Sequence, residues 1–138
     1  MAAFPPAGRP WWRRWFGTRS ERAAARFLRR LGYRILARNY TCPHGELDLI
    51  AVDGLCIVFV EVRSTATADA TRPAESVGEV KQRRLTDLAL YYLRQHRLLD
   101  HSARFDVLAL SWPAGRREPR IDHYRQAFEA VGRFQMYS

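Results

Sequence analysis

Lysine is almost absent from this chain, and cysteine nearly so. Lys81 is the one lysine among 23 basic residues, all the others being arginine. Two cysteines, Cys42 and Cys56, cannot build a disulfide framework in 138 residues. That excludes a disulfide-stapled secreted domain and fits a reducing compartment. No apolar run approaches the ~18–20 residues of a membrane span, which excludes a transmembrane helix. The N-terminal stretch has arginines but not the apolar h-region of a secretory signal. Together these absences predict a cytoplasmic protein. What is present is an ordinary globular composition, 47% hydrophobic over 138 residues, enough for one domain with a real core and too little for two.

The net charge of +9 is local. Ten arginines and a single acid, Glu21, fall in residues 1–38, whereas the remainder carries thirteen basic and thirteen acidic side chains. A basic segment of this kind points to a polyanion, most simply nucleic acid, with an anionic membrane surface as the competing partner. Residues 1–17 hold three prolines and the run WWRRWF, and are expected to form an irregular arm outside a domain at 18–138. Its tryptophans could stack on unpaired bases while guanidinium groups meet phosphates. They could equally sit at a lipid interface.

Thr18 and Glu21 have capping-box spacing, and Ala24, Phe27, Leu28 and Leu31 repeat as the apolar stripe of a helix that stops at Gly32. Arg22, Arg26, Arg29 and Arg30 take the rest of its circumference. Residues 33–40 read as a strand and residues 41–44 as a turn. Residues 64–75 are small and polar, a loop. Ser76 and Glu79 repeat the capping-box spacing before a second helix with Leu85, Leu88, Ala89, Tyr92 and Leu93 on its buried face, ending near Arg97. Residues 105–110 (FDVLAL) suit a strand covered on both sides. Their order after a strand and a helix predicts a right-handed crossover with parallel pairing. A short strand at 121–124 and a closing helix at 126–131 complete an α/β fold: helix, three-stranded meander, helix and strand, with a mixed sheet.

The chain is organised around GELDLIA (45–51) and FVEVR (59–63), separated by Asp53-Gly54, a strong two-residue hairpin signal. A turn bracketed by Val52 and Leu55 sets Glu46 opposite Glu61, Asp48 opposite Phe59 and His44 opposite Arg63. Period-two alternation then places Glu46, Asp48, Glu61 and Arg63 on one face, with Asp48 and Glu61 as diagonal neighbours. Leu47, Leu49, Val58, Val60 and Val62 fill the other face. Half-buried carboxylates side by side repel and need partners, and a divalent cation satisfies both requirements. A lone Cys42-x-His44 lacks the second pair of a zinc site.

This arrangement suits metal-assisted phosphodiester hydrolysis, because Mg²⁺ takes one or two protein carboxylates and completes its shell with water and phosphate oxygens. Asp48 and Glu61 are the expected ligands, with Mn²⁺ a workable substitute, and Arg63 is the cation that steadies developing charge. Glu46 stands as an auxiliary carboxylate. Glu21 is a further ligand if the first helix aims its N-terminus at the site, and otherwise only a cap. Arg22, Lys81, Arg83 and Arg84 are expected nucleic-acid contacts. The last three crowd the first turns of the second helix against its dipole, which asks for anionic partners. A solvated face is the plainer reading of the same residues.

GYRILARN (32–39), GELDLIA (45–51), FVEVR (59–63), VKQRRL (80–85), RFDV (104–107) and His123 through Ala127-Phe128 together resemble the YraN family of bacterial proteins. The resemblance covers residues 17–131. That family looks like a member of the restriction-endonuclease-like PD-(D/E)xK superfamily, near the Holliday-junction resolvases. The resemblance implies a nuclease-like core, with Asp48 and Glu61 matching the metal-binding acids and Glu21 the first-helix glutamate of the resolvase branch. It implies a Mg²⁺-dependent, structure-selective DNA endonuclease, with a homodimer as one arrangement for cutting two strands. A non-catalytic nucleic-acid-binding protein that keeps the fold is the alternative. Arg63 departs from the motif's lysine, and a guanidinium cannot relay protons. Lys81, on the following helix, is the residue that could reach the site and compensate.

Overall fold

The computed structural model describes residues 11–65 and 77–130. Its elements are α1 (Trp11–Arg30), β1 (Arg34–Cys42), β2 (Gly45–Asp53), β3 (Cys56–Thr65), α2 (Glu79–Gln95), β4 (Ser102–Ser111) and β5 (Arg120–Phe128). The five strands form one sheet in sequence order. Only β3 and β4 run parallel, joined by the crossover that contains α2. The remaining pairs are antiparallel. This mixed α/β architecture is compatible with a restriction-endonuclease-like core.

Each helix covers one face. Ala23, Ala24, Ala25 and Leu28 of α1 pack on Leu49, Ala51, Val58, Val60, Leu108 and Leu110. Three successive alanines let α1 lie close to the strands. On the other face, Leu85, Leu88, Ala89, Tyr92 and Leu93 of α2 cover Ile50, Ile57, Phe59, Phe105 and Val107. Adjacent residues of β3 alternate between the two cores, as a strand buried on both sides requires.

Several expectations need correction. Helix α1 starts at Trp11, so Thr18 lies inside it rather than capping it. Of the arm expected to be irregular, residues 1–10 lie outside the described residues. The helix does end as expected. Gly32 has φ 94, and the N–H groups of Tyr33 and Gly32 donate to Leu28 and Arg29 carbonyls at 3.0 and 2.9 Å, which is a Schellman closure. Leu31, expected in the apolar stripe, is 46% exposed within that closure, just past the end of α1. Strand β1 continues through Cys42, leaving only Pro43 and His44 as the turn before Gly45.

Helix α2 begins at Glu79 behind Gly78, with no side-chain cap. Ser76, and the loop from residue 66 on, lie outside the described residues. The short strand and closing helix expected at 121–131 are instead one strand through Phe128, with residue 131 onward outside the described residues. Tertiary pairing overrides local preference there. Phe128 stacks on Phe105 at 4.5 Å, and Gln126, at φ 52, bulges the strand.

The central hairpin turns on Gly54-Leu55 rather than Asp53-Gly54, with Asp53 pairing with Cys56. Gly54 has φ 61, placing glycine at the first central position, where a II′ hairpin turn needs it. Asp53 is occupied elsewhere, accepting from Arg104 at 3.1 Å. The register therefore slides by two residues: Ile50, not Asp48, opposes Phe59. An even slide preserves the faces.

Candidate active site

The ordered ladder between β2 and β3 begins at Leu49↔Val60, which leaves Asp48 and Glu61 as the next residues on either strand. They are near neighbours across the hairpin, closer than the diagonal relation expected from the sequence. Asp48 does not continue the ladder through its backbone. Its Oδ2 accepts the Val62 N–H at 2.8 Å, so a side-chain carboxylate stands where a carbonyl would.

The sheet bends here. Asn39 on β1 has φ 54, and beyond it Tyr40 and Leu47 drop into the core beneath α2. Leu47 is therefore on the α2 face, not with Leu49 as alternation predicted, because the left-handed Asn39 rotates the pleat of the β1–β2 hairpin. Asp48 sits at this pivot, where the two faces meet. That is how Glu21, from the helix on one side, and Glu61, facing the helix on the other, both act on it. Burial, then the charge of Glu61, push the Asp48 carboxyl up to about 7. The Val62 N–H works in the opposite direction and Glu21 adds a further upward push.

Glu21 and Glu61 are both buried. Glu61 forms an ion pair with Lys81 of α2. Among the described residues, no three His, Cys, Asp or Glu side chains converge as a group that could hold a metal ion. The three-carboxylate ligand set entertained from the sequence is therefore not assembled. Glu21 is an electrostatic neighbour, one Asp48 oxygen is taken by Val62, and one Glu61 oxygen by Lys81.

The other expected residues lie as follows. Arg63, two residues beyond Glu61, is half-buried with its Nε enclosed. Glu46 pairs with Thr41 near the β1–β2 turn and is half-buried. Arg84 lays its stem over Gly45, where an added Cβ would come within 3.3 Å of Cδ. Arg83 reaches back to Glu79 at 3.5 Å, and Arg22 is exposed on α1. Of the four expected nucleic-acid contacts, Lys81 is the one paired with a site acid, Glu61.

Sequence reasoning missed two arrangements. Trp112 Nε1 donates to Ser20 Oγ at 3.1 Å, and Ser20 Oγ donates to Ser64 Oγ at 3.1 Å, with the Arg19 guanidinium 3.7 Å over the indole. This chain of contacts ties the residue before Glu21 to the residue after Arg63. The second is a buried network on the α1 side. Arg104 Nε donates to Asp106 Oδ1 at 3.0 Å and its Nη2 to Tyr33 Oη at 2.8 Å. His123 Nε2 lies 2.7 Å from Asp106 Oδ2, and the Gln126 N–H donates to Oδ1 at 3.1 Å. Although burial works against it, contacts from His123, Arg104 and Gln126 hold the Asp106 carboxyl below its ordinary range. The signal was legible: one acid inside the apolar run FDVLAL must have partners, since a bare buried carboxylate is prohibitively costly.

The model of UPF0102, described as an uncharacterised protein family, matches residues 20–110. The chain belongs to the UPF0102 (YraN) family. It is 45% identical to a UPF0102 protein of Rhodopirellula baltica over 119 residues, covering 84% of this chain and 71% of that protein. It is 46% identical to one from Syntrophus aciditrophicus, over 85% of this chain and 91% of the relative. Against one from Geobacter sulfurreducens it is 44% identical, with 82% and 88% covered. The UPF0102 match takes in Glu21, Asp48, Glu61, Arg63 and Lys81, and stops short of Trp112 and His123. Among the described residues, no helix is long and apolar enough to cross a membrane.

Proposed function

We propose that this UPF0102 protein is a metal-dependent nuclease, a structure-selective DNA endonuclease that hydrolyses phosphodiester bonds at Asp48 and Glu61. The observation that carries the reading is the enforced closeness of these two acids: burial first, and then the charge of Glu61, push the Asp48 carboxyl up to about 7. A protein gains nothing in stability from such crowding, and crowded, perturbed carboxylates mark sites that do chemistry. The donor set fits Mg²⁺ or Mn²⁺. Two carboxylates suffice for an ion that otherwise keeps water and phosphate oxygens.

A divalent ion held by Asp48 and Glu61 would supply Lewis-acid polarisation of the phosphodiester. The chain's own residues do the rest. The Val62 N–H fixes the rotamer of Asp48, Arg63 adds positive charge beside Glu61, and exposed Arg22, Arg83 and Arg84 offer the salt-sensitive backbone contacts that hold DNA.

Cleavage of a panel of duplex, single-stranded, flap and four-way-junction DNA in Mg²⁺ or Mn²⁺ tests the reading. Nicking by wild type that disappears in Asp48→Ala is the expected result. A second reading, a binding protein that keeps the fold without catalysis, is favoured by the arginine at position 63. It predicts salt-dependent binding of the same panel that is indifferent to Asp48→Ala and to divalent ions.

A further inference from the structure

We infer that Lys81 is a catalytic residue of the reaction proposed above, its ammonium meeting the reacting phosphate beside Glu61 while Arg63 plays a supporting part. The inference rests on that functional reading and assigns the role to a residue of α2, outside strands β2 and β3.

The contact is the first reason. Lys81 Nζ pairs with Glu61 Oε2, and the Lys81 side chain is 41% exposed while that of Glu61 is 10% exposed. One group thus faces both the buried acid and the solvent from which a substrate arrives. Arg63 is likewise half-buried, but its Nε is enclosed.

The second reason is how the lysine is held. Val77, just before α2, is buried in the core. The Gln82 side-chain amide donates to the Val77 carbonyl at 2.7 Å, and the Gln82 N–H closes the first turn on Gly78 at 2.9 Å. Leu85 and Leu88 then pin the next turns. On the same helix, the Arg84 stem rests against Gly45 at the start of β2. The start of α2 is therefore held by Val77 and the core, and its second turn against Gly45, so Lys81 is presented from a rigid platform, as positioning for catalysis demands.

The third reason is chemical. A cation near the N-terminus of a helix opposes the dipole, so its placement there asks for anionic partners. Glu61 is one, and the substrate phosphate is the natural second. In the reaction a water oxygen attacks phosphorus and the bond to the leaving sugar oxygen breaks. The water proton passes to solvent, and the leaving oxygen takes one from solvent. Lys81 keeps its protons and donates hydrogen bonds to a phosphate oxygen as negative charge builds. Loss of one such donor costs about 10²–10³ in rate.

Because the chain has one lysine, labelling with ¹⁵N-lysine gives a single ammonium signal. We expect that signal to shift in Glu61→Gln and to broaden with substoichiometric Mn²⁺, and the broadening to vanish in Asp48→Asn. A lysine signal untouched by Mn²⁺ that the protein demonstrably binds overturns the inference, whatever the activity. In kinetics, Lys81→Gln should lower kcat about 100-fold with affinity for uncleaved DNA changed less than about threefold, and adding Arg63→Lys should recover part of the loss. Metal-dependent cleavage that vanishes in Asp48→Ala but survives Lys81→Gln sinks the role of Lys81 alone. Silence of wild type on every substrate sinks the nuclease reading and this inference with it.

Discussion

The Asp48 carboxylate accepts the Val62 N–H at 2.8 Å, across the hairpin just where the backbone ladder between β2 and β3 gives out. One oxygen is thereby fixed against the sheet, and the carboxyl is held next to Glu61 regardless of their repulsion.

That arrangement makes stability depend on pH in an unusual sense. Unfolded, Asp48 loses its proton near 3.8, whereas in the fold it does so at about 7. Between those values the folded state keeps a proton that the unfolded chain has released, so stability falls as pH rises through the window. Asp48→Asn keeps an oxygen for Val62 and removes the charge. It should stabilise the protein at pH 7.5 by about 1–2 kcal/mol and converge with wild type near pH 4. Thermal melts across that range decide it, and a variant less stable than wild type at pH 7.5 contradicts the account.

Divalent ions should relieve the same repulsion. Mn²⁺ at a hundredfold excess over its Kd should stabilise wild type by about 2.7 kcal/mol. The gain should shrink to near zero in Asp48→Ala and in Glu61→Gln. An equal rise of Tm in all three proteins would place the ion elsewhere.

The Arg104–Asp106–His123 network behaves oppositely. Asp106 has no exposed surface, and its carboxyl lies below its ordinary value. Its contribution is therefore complete above the unfolded carboxylate pKa and is lost as pH falls through the depressed folded value. Asp106→Asn takes the buried counter-charge from Arg104, leaving it Asp53 and Tyr33, and should cost about 3–5 kcal/mol in urea unfolding, with a flatter acid limb than wild type. A cost below about 1 kcal/mol would mean that the network contributes little.

Gly45→Ala should destabilise by more than about 1 kcal/mol. Its φ of 131 is foreign to alanine, and the added Cβ meets Arg84 Cδ at 3.3 Å. Because Arg84 lies on the turn after Lys81, the same variant should lower cleavage. Full activity in a folded Gly45→Ala would show that α2 tolerates displacement.

Much of the sheet was legible because it obeys local rules. Alternation in β3 sorts Ile57 and Phe59 from Val58 and Val60, and a glycine at 54 demands a tight turn. The turn's phase was not legible, since both Asp53-Gly54 and Gly54-Leu55 satisfy a two-residue loop and only the engagement of Asp53 by Arg104 distinguishes them. The side switch of Leu47 depends on a left-handed Asn39 that no periodicity announces. Residues 126–128 have helical composition, and a bulge plus the Phe105–Phe128 stack makes them a strand. The meeting of Lys81 with Glu61 is a long-range fact, set by how the crossover helix lies on the sheet.

The single parallel pair has a bearing on how the site comes into being. Strands β1 to β3 are joined by tight turns and can zip locally, but α2 finds its core only against Phe105 and Val107 of β4 as well as β2 and β3. Closing a long connection is the slow, entropically opposed part of folding. A chain emerging from synthesis would thus hold its two acids together early and receive its lysine late. Under mild denaturant, the grip of α2 should loosen before the hairpins do, so that the meeting of Lys81 with Glu61 would be lost while most of the sheet still stood.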